Sequence, residues 1–199
     1  MPKRVIDHET AKNLAKAIID VLSPHCERIE VAGSLRRNQA QVGDIELVAI
    51  SKTHPVGLFG QDVTHAAVER IRQAADQESP DIRILASGGR AVQFVILRQQ
   101  VQVDLYLATP DNWGYIFAIR TGPAHFSKRA VTPTSKGGFL TEGHRCADGY
   151  VWERHRPGGT SLEPQRKLDD GAWYSMLRVP EEQDFFKLLT CGWIDPPRR

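Results

Sequence analysis

The chain lacks any long apolar segment. None of its hydrophobic runs approaches the roughly 18 residues that a bilayer-spanning helix needs. Its start, Met-Pro-Lys-Arg followed by polar residues, also has no signal-peptide core. These absences predict a cytoplasmic protein with no membrane partner.

Cysteine is scarce as well, with only Cys26, Cys146 and Cys191 among 199 residues. An odd number of widely spaced cysteines argues against a disulfide framework and fits a reducing compartment. His144 lies two residues before Cys146, but the sequence has no second pair at zinc-ligand spacing. We therefore interpret these two as surface or packing residues.

Net charge is also small, at +2, while 41% of the residues are hydrophobic and 25% charged. This composition is that of an ordinary globular protein with one core, or with two small subdomains sharing an interface. The charge is unevenly spread: Arg120 to Lys167 contains nine Lys or Arg and four Asp or Glu. That excess could contact phosphates or form a solvated surface of mixed charge, and charge alone does not decide between them.

Hydrophobic periodicity and turn residues predict alternating helices and strands along the chain. Asp7 suits the N-cap of the first helix, and Gly88-Gly89 suits a hairpin turn. Predicted helices cover 8–22, 62–77, 110–121, 123–131 and 180–189, predicted strands cover 29–32, 44–51, 82–85, 90–98, 100–108, 151–152 and 173–177, and a loop covers 52–61.

Two acids stand at the start of the strand predicted for 44–51. Side chains alternate along a strand, so Asp44 and Glu46 point to the same face, about 6.6 Å apart along the chain. This spacing suits a shared divalent cation.

A glycine-serine pair and two arginines precede these acids. Gly33 and Ser34 could offer backbone N–H groups and a hydroxyl to a phosphate, and Arg36 and Arg37 add positive charge nearby. Together with the acids, the segment predicts phosphoryl chemistry.

A third acid, Asp104, stands among apolar residues in the strand predicted for 100–108. An unpaired buried carboxylate is costly, so this acid is either exposed on an open sheet face or held beside a cation. From the residues alone, simple exposure is the favoured interpretation.

The segment Gly-Ser-x-Arg-Arg, followed after a spacer by Gly-Asp-x-Glu, resembles the nucleotidyltransferase signature of the DNA polymerase X family. Val103-Asp104-Leu105 resembles the family's third carboxylate, and Thr121-Gly122 resembles its turn beside the nucleotide sugar. The end of the chain, 193–199, resembles the close of the family's thumb. The resemblance covers nearly the whole chain and matches a minimal palm-plus-thumb form.

The resemblance implies an α+β fold in two parts. A nucleotidyltransferase palm over residues 1–110 has a mixed sheet with helices on one face. A small α/β thumb over 111–199 makes nucleotide and DNA contacts.

The resemblance also implies an activity: a DNA-directed DNA polymerase that transfers deoxynucleotides from dNTPs to a primer 3′-hydroxyl, in repair or replication. Two Mg²⁺ ions, for which Mn²⁺ can substitute, serve as cofactors. Primer-template or gapped DNA and dNTP are the expected partners of a monomeric protein. Asp44, Glu46 and Asp104 are the implied catalytic metal ligands.

Further site residues follow from the same resemblance. For Arg36, a structural ion pair is as good an interpretation as a contact with phosphate. For Lys128 and Arg129, a solvated helix face is as good an interpretation as contact with DNA. The implied nucleotide-binding residues are Gly33, Ser34, Arg37, Gly43, Thr121 and Gly122, and the implied DNA-binding residues are Arg120, Lys128 and Arg129.

Some positions depart from the family pattern. Glu46 replaces an aspartate of many members, Val42 replaces a hydroxyl residue that helps to bind phosphate, and Ile119-Arg120 replaces an aromatic pair. Pro123 follows Gly122, where the resemblance to the family implies a cis peptide. Because X-Pro bonds adopt cis more readily than others, we expect a cis peptide there.

Two alternatives to the polymerase stay open. One is a nucleotidyltransferase that acts on an RNA end, a small molecule or a protein. The other is a catalytically weak DNA-binding module.

Overall fold

The structure, a computed structural model, describes residues 4–56, 62–78, 81–155 and 164–199. The chain divides into two compact units, Met1–Thr109 and Pro110–Arg199. The sequence predicted a boundary after residue 110, while the names palm and thumb stay predictions. Within the described ranges, no helix is long and apolar enough to cross a membrane.

The first unit consists of a five-stranded sheet, its helices and two small strand pairs. A 3-10 turn (Ser23–His25) follows α1 and a π turn (Ala74–Glu78) follows α3. In chain order the elements are β1 (Ile6–Asp7), α1 (His8–Leu22), β2 (Cys26–Val31), α2 (Gly33–Arg36), β3 (Gln41–Val42), β4 (Asp44–Ser51), β5 (Thr53–Val56), β6 (Asp62–His65), α3 (Ala66–Gln73), β7 (Ile82–Gly88), β8 (Ala91–Ile96) and β9 (Val101–Leu107).

The main sheet has the strand order β2-β4-β9-β8-β7. Strands β4 and β9 are parallel, whereas the other neighbouring pairs are antiparallel. This arrangement confirms the predicted α+β class with a mixed sheet.

One face of this sheet packs against the helices. Apolar residues of α1 and α3 form a single buried cluster with alternate residues of the strands, as expected when one face of a sheet is covered. The sheet contributes Ile45, Leu47, Ala49, Val92, Phe94, Val103 and Leu105 to this cluster, and the helices contribute Ala11, Ala15, Leu22, Ala67, Val68 and Ile71.

Helix α1 begins where the sequence predicted. Asp7 is its N-cap, and the Asp7 carboxylate accepts hydrogen bonds from the Thr10 backbone N–H at 2.9 Å and the Thr10 hydroxyl at 2.7 Å. These bonds satisfy one of the free N–H groups of the first turn and lower the pKa of Asp7.

The segment between β4 and α3 differs from the prediction. Residues 53–56 and 62–65 form the antiparallel pair β5–β6, so neither the loop over 52–61 nor a helix beginning at 62 is correct. Helix α3 begins at Ala66, whose N–H donates to the Lys52 carbonyl. Val63, expected inside a helix, is 63% exposed on a strand. Residues 57–61 of the predicted loop lie outside the described residues.

The second unit combines helices with an antiparallel sheet of order β10-β11-β13-β12. 3-10 turns cover Thr134–Lys136 and Pro196–Arg198. In chain order its elements are α4 (Trp113–Thr121), α5 (Ala124–Ala130), β10 (His144–Ala147), β11 (Tyr150–Arg154), β12 (Gln165–Lys167), β13 (Trp173–Leu177) and α6 (Glu182–Lys187).

Aromatic side chains dominate the interior of the second unit. Trp113 is fully buried, and Phe126 is stacked on Phe186 with ring centroids 6.0 Å apart. Helix α6 begins with a capping box formed by Glu181 and Asp184.

A buried ion pair joins α6 to the end of the chain. Arg199 Nη1 lies 2.5 Å from Glu182 Oε1, and the two side chains are 0% and 5% exposed. The guanidinium also faces the rings of Phe186 and Trp193, at 4.7 and 5.3 Å from their centroids. The carboxylate and the guanidinium are thus buried as a pair, and each charge compensates the other.

The peptide bond between Gly122 and Pro123 is trans, since no cis bond occurs in the described ranges. The expectation of a cis bond is therefore wrong. Gly122 is extended, with φ −70° and ψ 150°, which is the conformation that suits a residue before proline. Because trans is favoured by about 0.5–1 kcal/mol even for X-Pro bonds, this turn needs no cis isomer.

Candidate active site

Strands β4 and β9 place the three predicted acids on one face of the main sheet. Glu46 pairs directly with Asp104, and Asp44 pairs with Gln102. Paired residues of neighbouring strands share a face, and residues two apart on one strand also share it. Asp44, Glu46 and Asp104 therefore all project from the face opposite the helices, on strands about 4.8 Å apart.

Asp104 is buried, with 5% of its surface exposed. Gln102 Nε2 donates a hydrogen bond to Asp104 Oδ1 at 2.7 Å, and the Tyr106 hydroxyl lies 3.5 Å from Oδ2. The simple exposure favoured by the residues alone is thus wrong. Neutral donors two residues before and after Asp104 orient its carboxylate without cancelling its charge.

Gly33 lies against the side chain of Glu46. Its φ is +62°, and a Cβ at this position would lie 2.0 Å from Glu46 Oε2. The neighbouring Ala32 N–H donates to the Glu46 carbonyl at 2.8 Å. Only glycine therefore fits here, and the start of α2 is held directly beside the second acid.

Ser34 carries a buried hydroxyl that has no hydrogen-bond partner within the described residues. It is the second residue of α2, where the first backbone N–H groups have no partner inside the helix. A buried donor left unsatisfied costs about 1–3 kcal/mol. The turn therefore presents donors that an oxyanion such as a phosphate would satisfy.

Arg37 directly follows α2 as its C-cap residue and lies close enough to both acids of β4 to interact with them. Burial lowers the pKa of Arg37, while the negative charges of Glu46 and Asp44 act in the opposite direction. Its positive charge thus partly offsets the repulsion between the carboxylates.

Gly43 is less constrained than Gly33. A Cβ added at Gly43 would meet nothing within 4 Å, so packing does not require glycine there. The adjacent Val42 is fully buried and pairs with Ile6 in the small β1–β3 sheet. Arg36 is half-buried in the last turn of α2.

The donor set fits a hard divalent cation in its chemistry. Three carboxylates on one face supply the oxygen ligands that Mg²⁺ prefers. Within the described ranges, however, no three His, Cys, Asp or Glu side chains are grouped closely enough to hold a metal ion. The fold brings the three acids to a common face, and their closure around a metal stays a prediction.

Thr121 and Gly122 lie in the second unit, at the end of α4. The Thr121 side chain is fully buried. A Cβ at Gly122 would lie 2.3 Å from Phe126 Cδ1, so packing requires this glycine. Their predicted contact with a nucleotide stays a prediction.

The predicted DNA-binding residues also belong to the second unit. Lys128 and Arg129 are exposed on α5, and the Arg129 guanidinium lies 3.9 Å from the centroid of the Phe139 ring. Arg120 is half-buried in the last turn of α4. Arg129 is therefore partly fixed by its aromatic neighbour, whereas Lys128 extends from the exposed side of the helix.

Gln102 and Tyr106 are site residues that the sequence analysis did not identify. Their spacing in the sequence could have identified them, because both lie two positions from Asp104 and so share its face of the strand. Their role became apparent only when the hydrogen bond and the burial of Asp104 were known.

Comparison with known proteins adds no relative: no protein-family model and no curated protein match this chain.

Proposed function

We propose that this protein is a nucleotidyltransferase of the DNA polymerase X type, which adds deoxynucleotides to a primer 3′-hydroxyl. The observation that carries the proposal is the register of β4 and β9, which sets Glu46 opposite Asp104 with Asp44 on the same face. The Gly33-Ser34 turn, with its unsatisfied hydroxyl, lies beside this face.

In the reaction, the primer 3′-oxygen forms a bond to the α-phosphorus of the dNTP. The bond from that phosphorus to the pyrophosphate oxygen breaks, pyrophosphate leaves with the electron pair, and the hydroxyl proton passes to solvent. Two Mg²⁺ ions held by Asp44, Glu46 and Asp104 would supply charge neutralisation for the attacking and leaving oxygens.

The chain's own residues have distinct tasks in this proposal. Ser34 Oγ and the first N–H groups of α2 donate to the triphosphate, and Arg37 adds positive charge beside it. Gln102 keeps the Asp104 carboxylate turned in one direction through its 2.7 Å hydrogen bond. Gly33 lets the Gly33-Ser34 turn approach Glu46 closely.

Primer extension on a templated DNA with dNTPs and Mg²⁺ tests the proposal. We expect Asp104→Asn, which keeps the shape of the side chain, to lower the extension rate at least about 1,000-fold, the equivalent of roughly 4 kcal/mol of transition-state stabilisation. Asp20→Asn is the matched control, because Asp20 is exposed on α1. Equal rates for the two variants, or no extension by the parent protein, would refute the polymerase.

A second candidate is transfer of a nucleotide to a different acceptor. All the residues proposed for the chemistry lie in the unit Met1–Thr109, so the acids themselves do not select the acceptor. Incubation with labelled dNTP or NTP and RNA, DNA or protein acceptors distinguishes the two. Label on RNA or protein but not on a DNA primer would favour this second candidate.

A further inference from the structure

A small pocket of about 100 Å³ lies within the second unit, between the segment 133–145 and the strands β11 and β13. It is built by this unit alone and contains none of the residues assigned to the chemistry. The charged or titratable side chains that line it are Lys136, Glu142, His144, Arg145, Arg154, Asp170 and Tyr174.

Both carboxylates of the pocket are engaged by nearby donors. Glu142 Oε1 accepts hydrogen bonds from the Thr134 hydroxyl and the Ser135 N–H, each at 2.7 Å, and these bonds lower the pKa of Glu142. Asp170 Oδ1 accepts from the Ala172 N–H, and its Oδ2 accepts from the Tyr174 hydroxyl at 2.8 Å. Both carboxylates therefore accept hydrogen bonds that stabilise the turns around the pocket.

The basic side chains of the pocket differ in how many partners they have. Arg145 shares a hydrogen bond with the Tyr174 hydroxyl and also lies 3.3 Å from Asp170, and these interactions raise the pKa of Arg145. Within the part of the chain that the structure describes, Lys136 and Arg154 have no side-chain hydrogen bond and no ion pair, although the charge of Arg154 helps to lower the pKa of Asp170. Two cationic groups thus line one small concave site with donors available to an anion.

We propose that this pocket binds a phosphate group of a nucleic-acid strand, with Lys136 and Arg154 as the principal donors. Phosphate is an anion whose charge and several acceptor oxygens suit a lysine and an arginine that line the same pocket. The choice of a strand as the source of the phosphate rests on the proposed function.

The charge of the surrounding chain favours a strand over a free anion. The region Arg120 to Lys167, which includes Lys136, Arg145 and Arg154, has nine basic and four acidic residues. A strand releases counterions at each phosphate that it brings to basic side chains of this stretch, whereas a free phosphate gains only the pocket.

The test is the binding of a fluorescein-labelled oligo(dT) strand to the full chain, followed by anisotropy at several salt concentrations in EDTA. We expect Lys136→Gln/Arg154→Gln to weaken binding about tenfold, the affinity change for one lost charge-assisted hydrogen bond. The slope of log K against log salt should become less steep by about 0.7, the value for one phosphate of a single strand.

Two control variants keep this test specific. Arg178→Gln/Lys187→Gln removes the same charge from exposed sites of the same unit outside the pocket, and we expect it to change binding less than about twofold. Lys136→Arg/Arg154→Lys keeps the charges and should keep most of the affinity. Equal weakening by the pocket and control variants would overturn the proposal.

A second arm separates the two sources of phosphate. Inorganic phosphate alone is titrated while amide NMR shifts of the pocket residues are followed. Pocket shifts that need Lys136 and Arg154, together with strand binding that does not, would overturn the strand as the source. Because neither arm contains metal or dNTP, pocket-dependent strand binding without primer extension would refute the proposed function alone.

Discussion

Asp104 and Glu182 are two buried carboxylates that differ in the kind of partner they have. Glu182, in the second unit, is paired with a fully buried guanidinium, Arg199, that also faces aromatic rings. Asp104, in the first unit, receives hydrogen bonds from a neutral amide and lies near a phenol. The Glu182 carboxylate thus has a cationic partner, whereas the two hydrogen bonds to Asp104 come from neutral groups.

The largest effect expected from this comparison is on stability. Arg199→Met leaves Glu182 as an uncompensated buried charge, so the free energy of unfolding should fall by about 3–5 kcal/mol. Urea denaturation followed by tryptophan fluorescence measures it.

The matched control for that variant is Lys187→Met on α6. It breaks an exposed Lys187–Asp184 pair at 2.8 Å, so we expect a change below about 0.5 kcal/mol. If the two variants lose the same stability, Glu182 and Arg199 do not form a buried ion pair.

The second prediction concerns Gly33, which lets the turn formed with Ser34 lie against Glu46. Gly33→Ala should lower the free energy of unfolding by about 1–2 kcal/mol, because its φ is positive. The added Cβ should also displace the Glu46 carboxylate and abolish primer extension. Thermal melting and extension rates measure the two effects.

Gly43→Ala is the control for the stability effect, because a Cβ there meets nothing within 4 Å. We expect its melting temperature to match that of the parent protein. A Gly33→Ala protein with parental stability and extension would show that Glu46 does not lie against this turn.

The third prediction tests the neutral donor of Asp104. Gln102→Met removes the hydrogen bond and should cost about 0.5–1.5 kcal/mol of stability. We expect the extension rate to fall about tenfold, as for roughly 1.4 kcal/mol of lost positioning, with the Michaelis constant for dNTP nearly unchanged.

Gln93→Met is the control, since Gln93 lies beside Asp104 on β8 without a hydrogen bond to it in the described structure. Equal loss of rate in both variants would mean that Gln102 has no particular role in orienting Asp104.

The smallest effect expected involves an exposed carboxylate, the Asp7 cap. Its pKa in the folded protein lies below the ordinary 3.8 because of the bonds from Thr10. The ionised cap therefore stabilises the protein above pH 3.8, and this stabilisation disappears as the pH falls through the folded value. The difference in melting temperature between the parent and Asp7→Ala should accordingly narrow toward acid pH. A constant difference would contradict the assignment of the cap.

The parts of the fold that local patterns control were predictable. The 3.6-residue period and the Asp7 cap placed α1 correctly, and the alternation along β4 placed Asp44 and Glu46 on one face. The strand pair β5–β6 was missed, because Gly and Pro punctuation in 52–61 predicts a loop equally well.

Contacts between distant residues were beyond local reasoning. The parallel pairing of Glu46 with Asp104 and the ion pair of Glu182 with Arg199 depend on the whole fold. The resemblance of the sequence to a family identified Asp104 as the third acid. The burial of Asp104 and its hydrogen bond from Gln102 are visible only in the structure.

The most direct test of the account is a crystal structure of the protein with Mg²⁺ and a non-hydrolysable dNTP. The proposed function predicts that this structure will show metal density bound by Asp44, Glu46 and Asp104. A phosphate oxygen should lie within hydrogen-bond distance of Ser34 Oγ. A metal and nucleotide bound elsewhere, or an Asp104 carboxylate directed away from both, would contradict it.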